Sequence, residues 1–348
     1  MNRADIVVGL SYGDESKGAT VDFLHPEKVV RFNGGPQAAH NVIANGFHHT
    51  FSSLGSGTMH GAPTYIAGTC AIEPNALLDE LNEMASFDPE VFVHEDALVT
   101  TSFHILANLV RSEQNQHGTT GWGFGETIDY SLRYPNHAIR AADLKNRLRL
   151  RDKIHALANY YVHEGMIAKR PDYSYMANLT NFIYDQAKNL NIISNDEFLT
   201  ALSDGYVVFE GAQGFMLDEV HGFNPHTTWS DTTPGNARKI INEIGITDVR
   251  TIGCMRTYAT RHGNGPMPGE SFDLNLPEPH NGDEGIQGKF RVGYHDQAEL
   301  DRAIGVVKPD LLSVSHCDVY HKPVGVDISV PIGINAYGPN RENRISRI

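Results

Sequence analysis

The apolar and polar positions first fall into a readable pattern between Asp5 and Leu24. Ile6, Val7 and Val8 form an unbroken β-branched run, the pattern of a strand buried on both faces. Gly9 and Gly13 then interrupt regular structure. From Lys17 to Leu24 apolar residues return at helical spacing, with Val21 and Leu24 on one face. A strand, a glycine-bearing turn and a helix start make a phosphate cradle, because a helix N-terminus offers unpaired N–H groups and partial positive charge. Lys17 adds a full charge. The loop lacks the Gly-Lys-Ser/Thr ending of the common P-loop and carries Ser16-Lys17-Gly18 instead. Asp14 and Glu15 sit inside it. A carboxylate beside a phosphate suits a metal ion or a proton transfer; the plain alternative is a strand-to-helix turn with solvated charges.

Further along, Val29 to Phe32 predicts a strand, and Asn33 to His40 a tight glycine-bearing loop. Val42-Ile43, Asn45-Gly46 and His48 to Phe51 predict a hairpin with a type I′ turn. Tyr65 to Gly68 is a short strand. Pro74 to Met84 is a helix, with Pro74 near its start and Leu77, Leu78, Leu81 and Met84 on one face. Val91–Val93 and Ala97–Val99 are strand-like, and Phe103 to Val110 is helical. Gln114 to Glu126, with four glycines, paired threonines, Trp122 and Phe124, reads as a ligand-binding loop. Asp143 to about Asn191 is a helical middle that Pro171 breaks, with Leu144, Leu148, Ile154, Leu157, Tyr160 and Tyr161 on its apolar faces.

Val207 to Gly211 predicts another buried strand, after which 212–218 turns away. Asn224 to Gly235 is rich in hydroxyls, Asn236 to Ile244 is helical and Val249 to Thr257 strand-like. Pro266 to Gly288 reads as a long surface excursion, followed by Lys289 to Gly293. Leu300 to Val307 predicts a helix, Asp310 to Ser315 a core strand, and Ser329 to Ile334 a last strand before Gly338-Pro-Asn-Arg341.

Composition narrows the function. The 348 residues, 40% hydrophobic and 20% charged, can bury a sizeable core. A net charge of −14 without a long basic run argues against nucleic acid polymers and anionic membranes as partners. Small phosphorylated ligands need only local positive charge. The 18 histidines are scattered, and three widely spaced cysteines, Cys70, Cys254 and Cys317, fit neither a disulfide framework nor a zinc site. They point to the reducing cytosol. Met1 to Asp5 lacks the apolar region of a signal peptide, and no run reaches membrane-spanning length.

Five segments, in one order over nearly the whole chain, resemble the adenylosuccinate synthetases. Gly13-Asp-Glu-Ser-Lys-Gly18 resembles that family's Gly-Asp-Glu-Gly-Lys-Gly loop, and Gly34-Gly-Pro-Gln-Ala-Ala-His40 its Gly-Gly-x-Asn-Ala-Gly-His. The stretch from Gly118 through Trp122 to Gly123 is similar to Gly-Thr-Thr-Gly-Arg-Gly. Glu210-Gly-Ala-Gln-Gly214 stands unchanged. Thr260-Arg-His-Gly-Asn-Gly-Pro266 is similar to Thr-Arg-Val-Gly-Ala-Gly-Pro. The chain also departs from the family. Ser315-His-Cys-Asp318 stands where the family reads the guanine of GTP with Thr-Lys-x-Asp, and an arginine-rich loop is thinned to Lys289-Phe-Arg291. These departures, and the short length, resemble the phage branch, the 2-aminoadenylosuccinate synthetases.

The resemblance implies one large α/β domain over 1–348, built on a mostly parallel central sheet with a P-loop-like phosphate loop. It implies a ligase that phosphorylates a purine 6-oxo group and displaces it with L-aspartate. The phage branch implies dGMP with ATP or dATP, for diaminopurine synthesis. A compact enzyme acting on IMP with GTP and a non-catalytic nucleotide-binding regulator are the alternatives. Under this likeness Asp14 is the base at N1 and a Mg²⁺ ligand, with the carbonyl of Ala39 completing the metal shell. His40 is the general acid, and Lys17 neutralises phosphate charge. Ser16, Asn33, Gln37, Thr119, Thr120, Gln213 and Thr228 fall at the purine nucleotide. Arg261, Lys289 and Arg291 belong to the aspartate site. Gly13, Glu15, Gly18, Ala19, Thr20, Asp318, Gly338 and Pro339 fall at the donor. An arginine lent by a second subunit of a homodimer, Arg133 or Arg140, grips the phosphate.

Overall fold

The computed structural model describes residues 2–115, 119–271, 273–274, 276 and 286–347. The chain begins with β1 (Arg3–Gly9), α1 (Lys17–Leu24) and β2 (Lys28–Arg31). The hairpin β3 (His40–Ala44) and β4 (Phe47–Phe51) follows; Asn45 and Gly46 both take positive φ, as the I′ turn requires. Next come β5 (Thr64–Ile66), β6 (Ala71–Ile72), α2 (Pro74–Glu83), β7 (Val91–His94), β8 (Leu98–Val99), α3 (Ser102–Asn115) and α4 (Phe124–Arg133). The helical middle consists of α5 (Arg147–His163) and α6 (Tyr173–Ala187), and leads to β9 (Asn191–Ile193), α7 (Asn195–Leu202) and β10 (Tyr206–Gly214). The last part holds α8 (Gly235–Ile244), β11 (Asp248–Arg256), β12 (Ala259–His262), β13 (Phe290–Gly293), α9 (Gln297–Val307), β14 (Leu311–Ser315), β15 (Ile332–Ala336) and β16 (Arg344–Ser346).

Ten strands form one sheet in the order β16-β15-β14-β11-β1-β10-β2-β5-β7-β9, and only β16 runs antiparallel to its neighbour. This is the α/β fold with a mostly parallel sheet expected above. The alternation in β1 explains its two-sided burial. Val7 joins Val29, Val208, Ile252 and Cys254 on the face that α1 covers through Val21. Ile6 and Val8 point the other way, toward Phe209, Leu312 and Val314, over which α7, α8 and α9 lay Phe198, Leu202, Ile241, Leu300 and Val307. Burying each such side chain contributes roughly 1.5–3 kcal/mol. A second core lies among α2, α3, α5 and α6, around Leu77, Phe103, Ile154, Leu157 and Ile183. No helix among the described residues is long and apolar enough to cross a membrane, and all three cysteines are buried and unpaired.

Several expectations are corrected. The loop expected over 114–126 ends early, because α4 starts at Phe124; 116–118 lie outside the described residues. Phe124 is 6% exposed, but Trp122 stays 38% exposed. Leu148 is 64% exposed, on the outer side of α5. β10 runs on to Gly214 rather than turning at Ala212. The pattern did not disclose α7, β12 or β16, each short and part polar. Much of the expected 266–288 excursion lies outside the described residues.

Candidate active site

The parallel strands all end on one edge, so the loops after β1, β2, β10, β11 and β14 gather there, where open α/β sheets take ligands. The loop after β1 is shaped by Glu15, which folds back beneath it. Its Oε1 accepts the main-chain N–H groups of Ser11 and Gly13, both at 2.9 Å. Its Oε2 meets Lys17 Nζ at 2.8 Å, and Nζ also donates to the Gly13 carbonyl at 2.5 Å. A Cβ on Gly214 would fall 2.6 Å from Glu15 Oε1, so only glycine lets β10 pass this carboxylate. Glu15 thus holds the loop from inside, its carboxylate engaged by Lys17 and two main-chain N–H groups rather than directed outward as expected of a donor-site residue. Ser16, where the related loop has glycine, sits in the left-handed region at φ 61° as the residue before α1.

Asp14 faces outward, its side chain one-third exposed. Its Oδ2 lies 3.3 Å from His262 Nε2, and its carbonyl accepts from Arg256 Nε. Burial pushes the Asp14 carboxyl up, but the His262 hydrogen bond and the charges of Arg256, His262 and Lys17 outweigh it and hold the pKa below the ordinary value.

His40 opens β3. Its Nδ1 lies 2.6 Å from Oε1 of Glu210, a fully buried residue of β10. The same carboxylate accepts from Ser56 Oγ at 2.5 Å and from the Ser56 N–H at 2.9 Å. Burial pushes Glu210 up, but His40, Arg31 and Ser56 together hold it at about 2. An ionised carboxylate can only accept, so the Nδ1 of His40 carries a proton and Nε2 is the nitrogen that exchanges one. Burial lowers the His40 pKa, and Glu210 opposes it. A Cβ on Gly18 would sit 2.5 Å from His40 Cβ and 2.6 Å from Ser56 Oγ. Glycine therefore lets the first turn of α1 pack directly on the dyad. Lys17 acts electrostatically on both Asp14 and His40, so all three share one neighbourhood.

Around this centre the expected residues divide. Gln37 and Gln213 flank the Gly34-Gly35 turn. Both amide atoms of Gln37 and Oε1 of Gln213 are buried without a hydrogen-bond partner, the mark of groups shaped for a ligand. Thr119 bonds Asn108 at 2.8 Å and caps the N–H of Gly121; Thr120 follows it, half-buried. Thr228 is anchored by its N–H to the Leu217 carbonyl at 2.7 Å. Asp318 and Pro339 are exposed and Gly338 half-buried, beyond the adjoining ends of β14 and β15. Ala39 is exposed.

Other side chains are committed elsewhere. Asn33 is buried and clamps Ala212 through both its amide atoms, at 2.8 and 3.1 Å. Ala19 and Thr20 are buried within α1, with the Thr20 hydroxyl 2.9 Å from Ser313 Oγ and its N–H on the Ser16 carbonyl at 3.0 Å. Arg261 is buried, stacks over the Tyr12 ring at 4.7 Å and donates to the Pro266 carbonyl at 2.6 Å. Arg291 spends its fork on Glu270, at 2.9 and 2.5 Å, and on the carbonyls of Gly263 and Gly265. Lys289 remains exposed. Arg133 lies on the exposed side of α4, paired with Asp129 at 2.8 Å, whereas Arg140 donates to the Asp96 carbonyl at 2.8 Å. Sequence reasoning missed Glu210, Ser56, Arg256 and His262. For Glu210 the signal was present: an acidic residue closing a β-branched and aromatic strand.

The family profile described as adenylosuccinate synthetase matches residues 6–342. Adenylosuccinate synthetase of Buchnera aphidicola subsp. Schizaphis graminum is 32% identical over 294 residues, covering 78% of this chain and 66% of that protein. The chain thus spans just under two thirds of that relative's length. The enzyme of Buchnera aphidicola subsp. Acyrthosiphon pisum (strain Tuc7) is 29% identical, covering 92% of this chain and 77% of that one. Two solved structures share the fold. Fully ligated adenylosuccinate synthetase from Plasmodium falciparum superposes with a TM-score of 0.84 at 20% identity, covering both chains completely. Cyanophage S-2L succinoaminodeoxyadenylate synthetase, bound to dGMP and dATP, gives 0.71 at 17% identity, covering 99% of this chain and 95% of that one.

Proposed function

We propose, because the chain belongs to the adenylosuccinate synthetase family of carbon–nitrogen ligases, that it joins L-aspartate to C6 of dGMP with ATP or dATP as donor. The products are N6-succino-2-amino-2′-deoxyadenylate, ADP or dADP, and phosphate. The observation that carries the chemistry is the grouping of Asp14, Lys17 and the His40–Glu210 dyad on one loop-bearing sheet edge.

In this reading Asp14 takes the N1 proton, and the charge it frees collects on O6. O6 attacks the γ-phosphorus and the nucleoside diphosphate leaves. Lys17 offsets charge on the transferring group, since phosphoryl transfer depends chiefly on positioning and electrostatics. The amine of aspartate then adds at C6, and phosphate departs with O6. His40, once phosphate charge beside it favours a proton on Nε2, donates from that nitrogen to the oxygens that gain charge, and Glu210 stabilises the imidazolium so formed. The Asp14 carboxylate and Ala39 carbonyl are accessible oxygen donors and suit a hard cation. They would hold Mg²⁺, which offsets phosphate charge when bound. The unpartnered amides of Gln37 and Gln213 would face the purine nucleotide, with Thr120 and Thr228. Arg133, on the exposed side of α4 in a surface pair with Asp129, is the better candidate for the arginine lent across a homodimer. The fold is taken to act as one domain over 1–348.

The choice of dGMP and an adenine donor is supported by the end of β14. There His316 replaces lysine, takes φ 62° and packs against Tyr258 at 5.4 Å. The fold likeness to the cyanophage protein, whose structure holds dGMP and dATP, points the same way. A second reading, IMP with GTP, is favoured by the curated relatives and by the higher TM-score of the Plasmodium enzyme. Mass spectrometry of products decides. Each of dGMP and IMP is incubated with aspartate, Mg²⁺ and ATP, dATP or GTP. A succino-adduct from dGMP supports the first reading, and an adduct from IMP alone supports the second. Phosphate release with no pair would leave a non-catalytic regulator.

A further inference from the structure

The resembled motif at 260–266 carries valine at its third position, and this chain carries His262. Consecutive residues of β12 point to opposite sides. Arg261 faces inward and lies over the Tyr12 ring at 4.7 Å, while His262 faces the loop after β1 and reaches Asp14 Oδ2 at 3.3 Å. The His262 ring packs on Phe290, its register partner in β13, at 4.9 Å. The β12–β13 ribbon is itself staked by Arg291 on Glu270 and on the carbonyls of Gly263 and Gly265. Two successive side chains of one ribbon thus hold two residues of the phosphate loop, Tyr12 and Asp14. A valine could not make the second contact.

We propose that His262 is a positioning residue that aims the Asp14 carboxylate, so that the base is set only when the β12–β13 ribbon is seated on the phosphate loop. The carboxylate can only accept, so His262 Nε2 donates. This bond holds Oδ2, while Arg256 fixes the main chain of the same residue. The ribbon also carries Lys289, so the device ties the aim of the base to the segment expected to meet aspartate. The inference rests on the reading of Asp14 as the base.

His262→Val and His262→Gln test it, since the glutamine amide nitrogen falls near the place of Nε2. The valine variant loses kcat by about 10- to 100-fold, the range expected when a reacting group is misaimed by an ångström or less. Its KM for the nucleoside triphosphate changes less than about twofold, and the glutamine variant regains most of the rate. A crystal structure of the valine variant shows Asp14 in a different rotamer. The proposal is overturned by an unchanged kcat in His262→Val, by a glutamine variant as slow as the valine one, or by Asp14 keeping its place. Should the wild-type protein turn over no purine pair, the functional reading fails. The Asp14 rotamer in the valine variant then decides the positioning role alone.

Discussion

Replacing Glu210 by glutamine removes one charge and keeps the shape. The carboxylate takes three hydrogen bonds in full burial: His40 Nδ1 at 2.6 Å, Ser56 Oγ at 2.5 Å and the Ser56 N–H at 2.9 Å. An amide has one acceptor end. If its oxygen faces His40, its NH₂ meets the Ser56 N–H, and a buried donor is orphaned at a cost of about 1–3 kcal/mol. If its NH₂ faces His40, Nδ1 must accept, the ring proton moves to Nε2, and no carboxylate supports the imidazolium. Either orientation disables the proposed general acid, and such a group's ordinary share of rate is about 10²–10⁴-fold. Stability shows the same residue through pH. The Glu210 pKa falls from an ordinary 4.5 to about 2. Its contribution is therefore full above pH 4.5 and is lost as pH falls through 2. At roughly 1.4 kcal/mol per unit that is at most about 3.5 kcal/mol, shared with the coupled His40. Steady-state kcat at pH 7, with urea unfolding at pH 7 and pH 3, provides the assay. The reasoning is refuted if Glu210→Gln folds, keeps its kcat within threefold of wild type and loses no more stability at pH 7 than at pH 3.

Asp14→Asn and His40→Ala each abolish turnover and leave the far-ultraviolet circular dichroism unchanged, because neither side chain belongs to the apolar cores; near-normal rates in either variant refute its role. Ser16→Gly stabilises by about 0.5–1 kcal/mol, since a non-glycine residue in the left-handed region carries about 1–2 kcal/mol of strain, part of which glycine's unfolded-state freedom cancels; urea midpoints check it. His104, buried among Tyr130 and Tyr161, is held neutral with its pKa lowered to about 3 by burial. Its contribution is full above pH 6.5 and drains as pH falls toward 3, by at most about 5 kcal/mol. His104→Asn, which keeps an acceptor for the Thr101 N–H, flattens that acid limb in pH-dependent unfolding.

Local pattern carried the fold where periodicity and turn chemistry agreed. β1, α1, the β3–β4 hairpin and α2 each announce themselves through β-branched runs, a positive-φ pair or helical spacing. α4 shows the opposite case. Gly121, Gly123 and Gly125 spell a loop, yet Phe124, Thr127 and Tyr130 are buried at helical spacing three residues apart, and tertiary burial overrides the low propensity of glycine. The arginines are a different case. Sequence shows that Arg261 and Arg291 carry charge in a ligand-bearing segment, but not that a tyrosine ring, a glutamate and main-chain carbonyls within the chain engage them, with Arg261 Nε left buried and without a partner among the described residues.

Asp14 and Glu15 make the limit of local reasoning concrete. They are neighbours of like charge in one loop, and nothing in that loop says which serves a ligand. The answer comes from residues 200 positions away and more. Gly214 leaves room for the Glu15 carboxylate beneath the loop, where Lys17 and two N–H groups receive it. Arg256 grips the Asp14 carbonyl, and His262 meets its carboxylate from outside. With Glu15 turned inward, the loop is braced by its own residues, and Asp14 is left as the outward carboxylate. The same division holds for His40, which local sequence marks as a loop histidine and whose ring is oriented through Glu210, itself held by Ser56. A motif can therefore name the reacting groups, while the groups that set their ionisation and aim lie on strands that meet them only in the folded sheet.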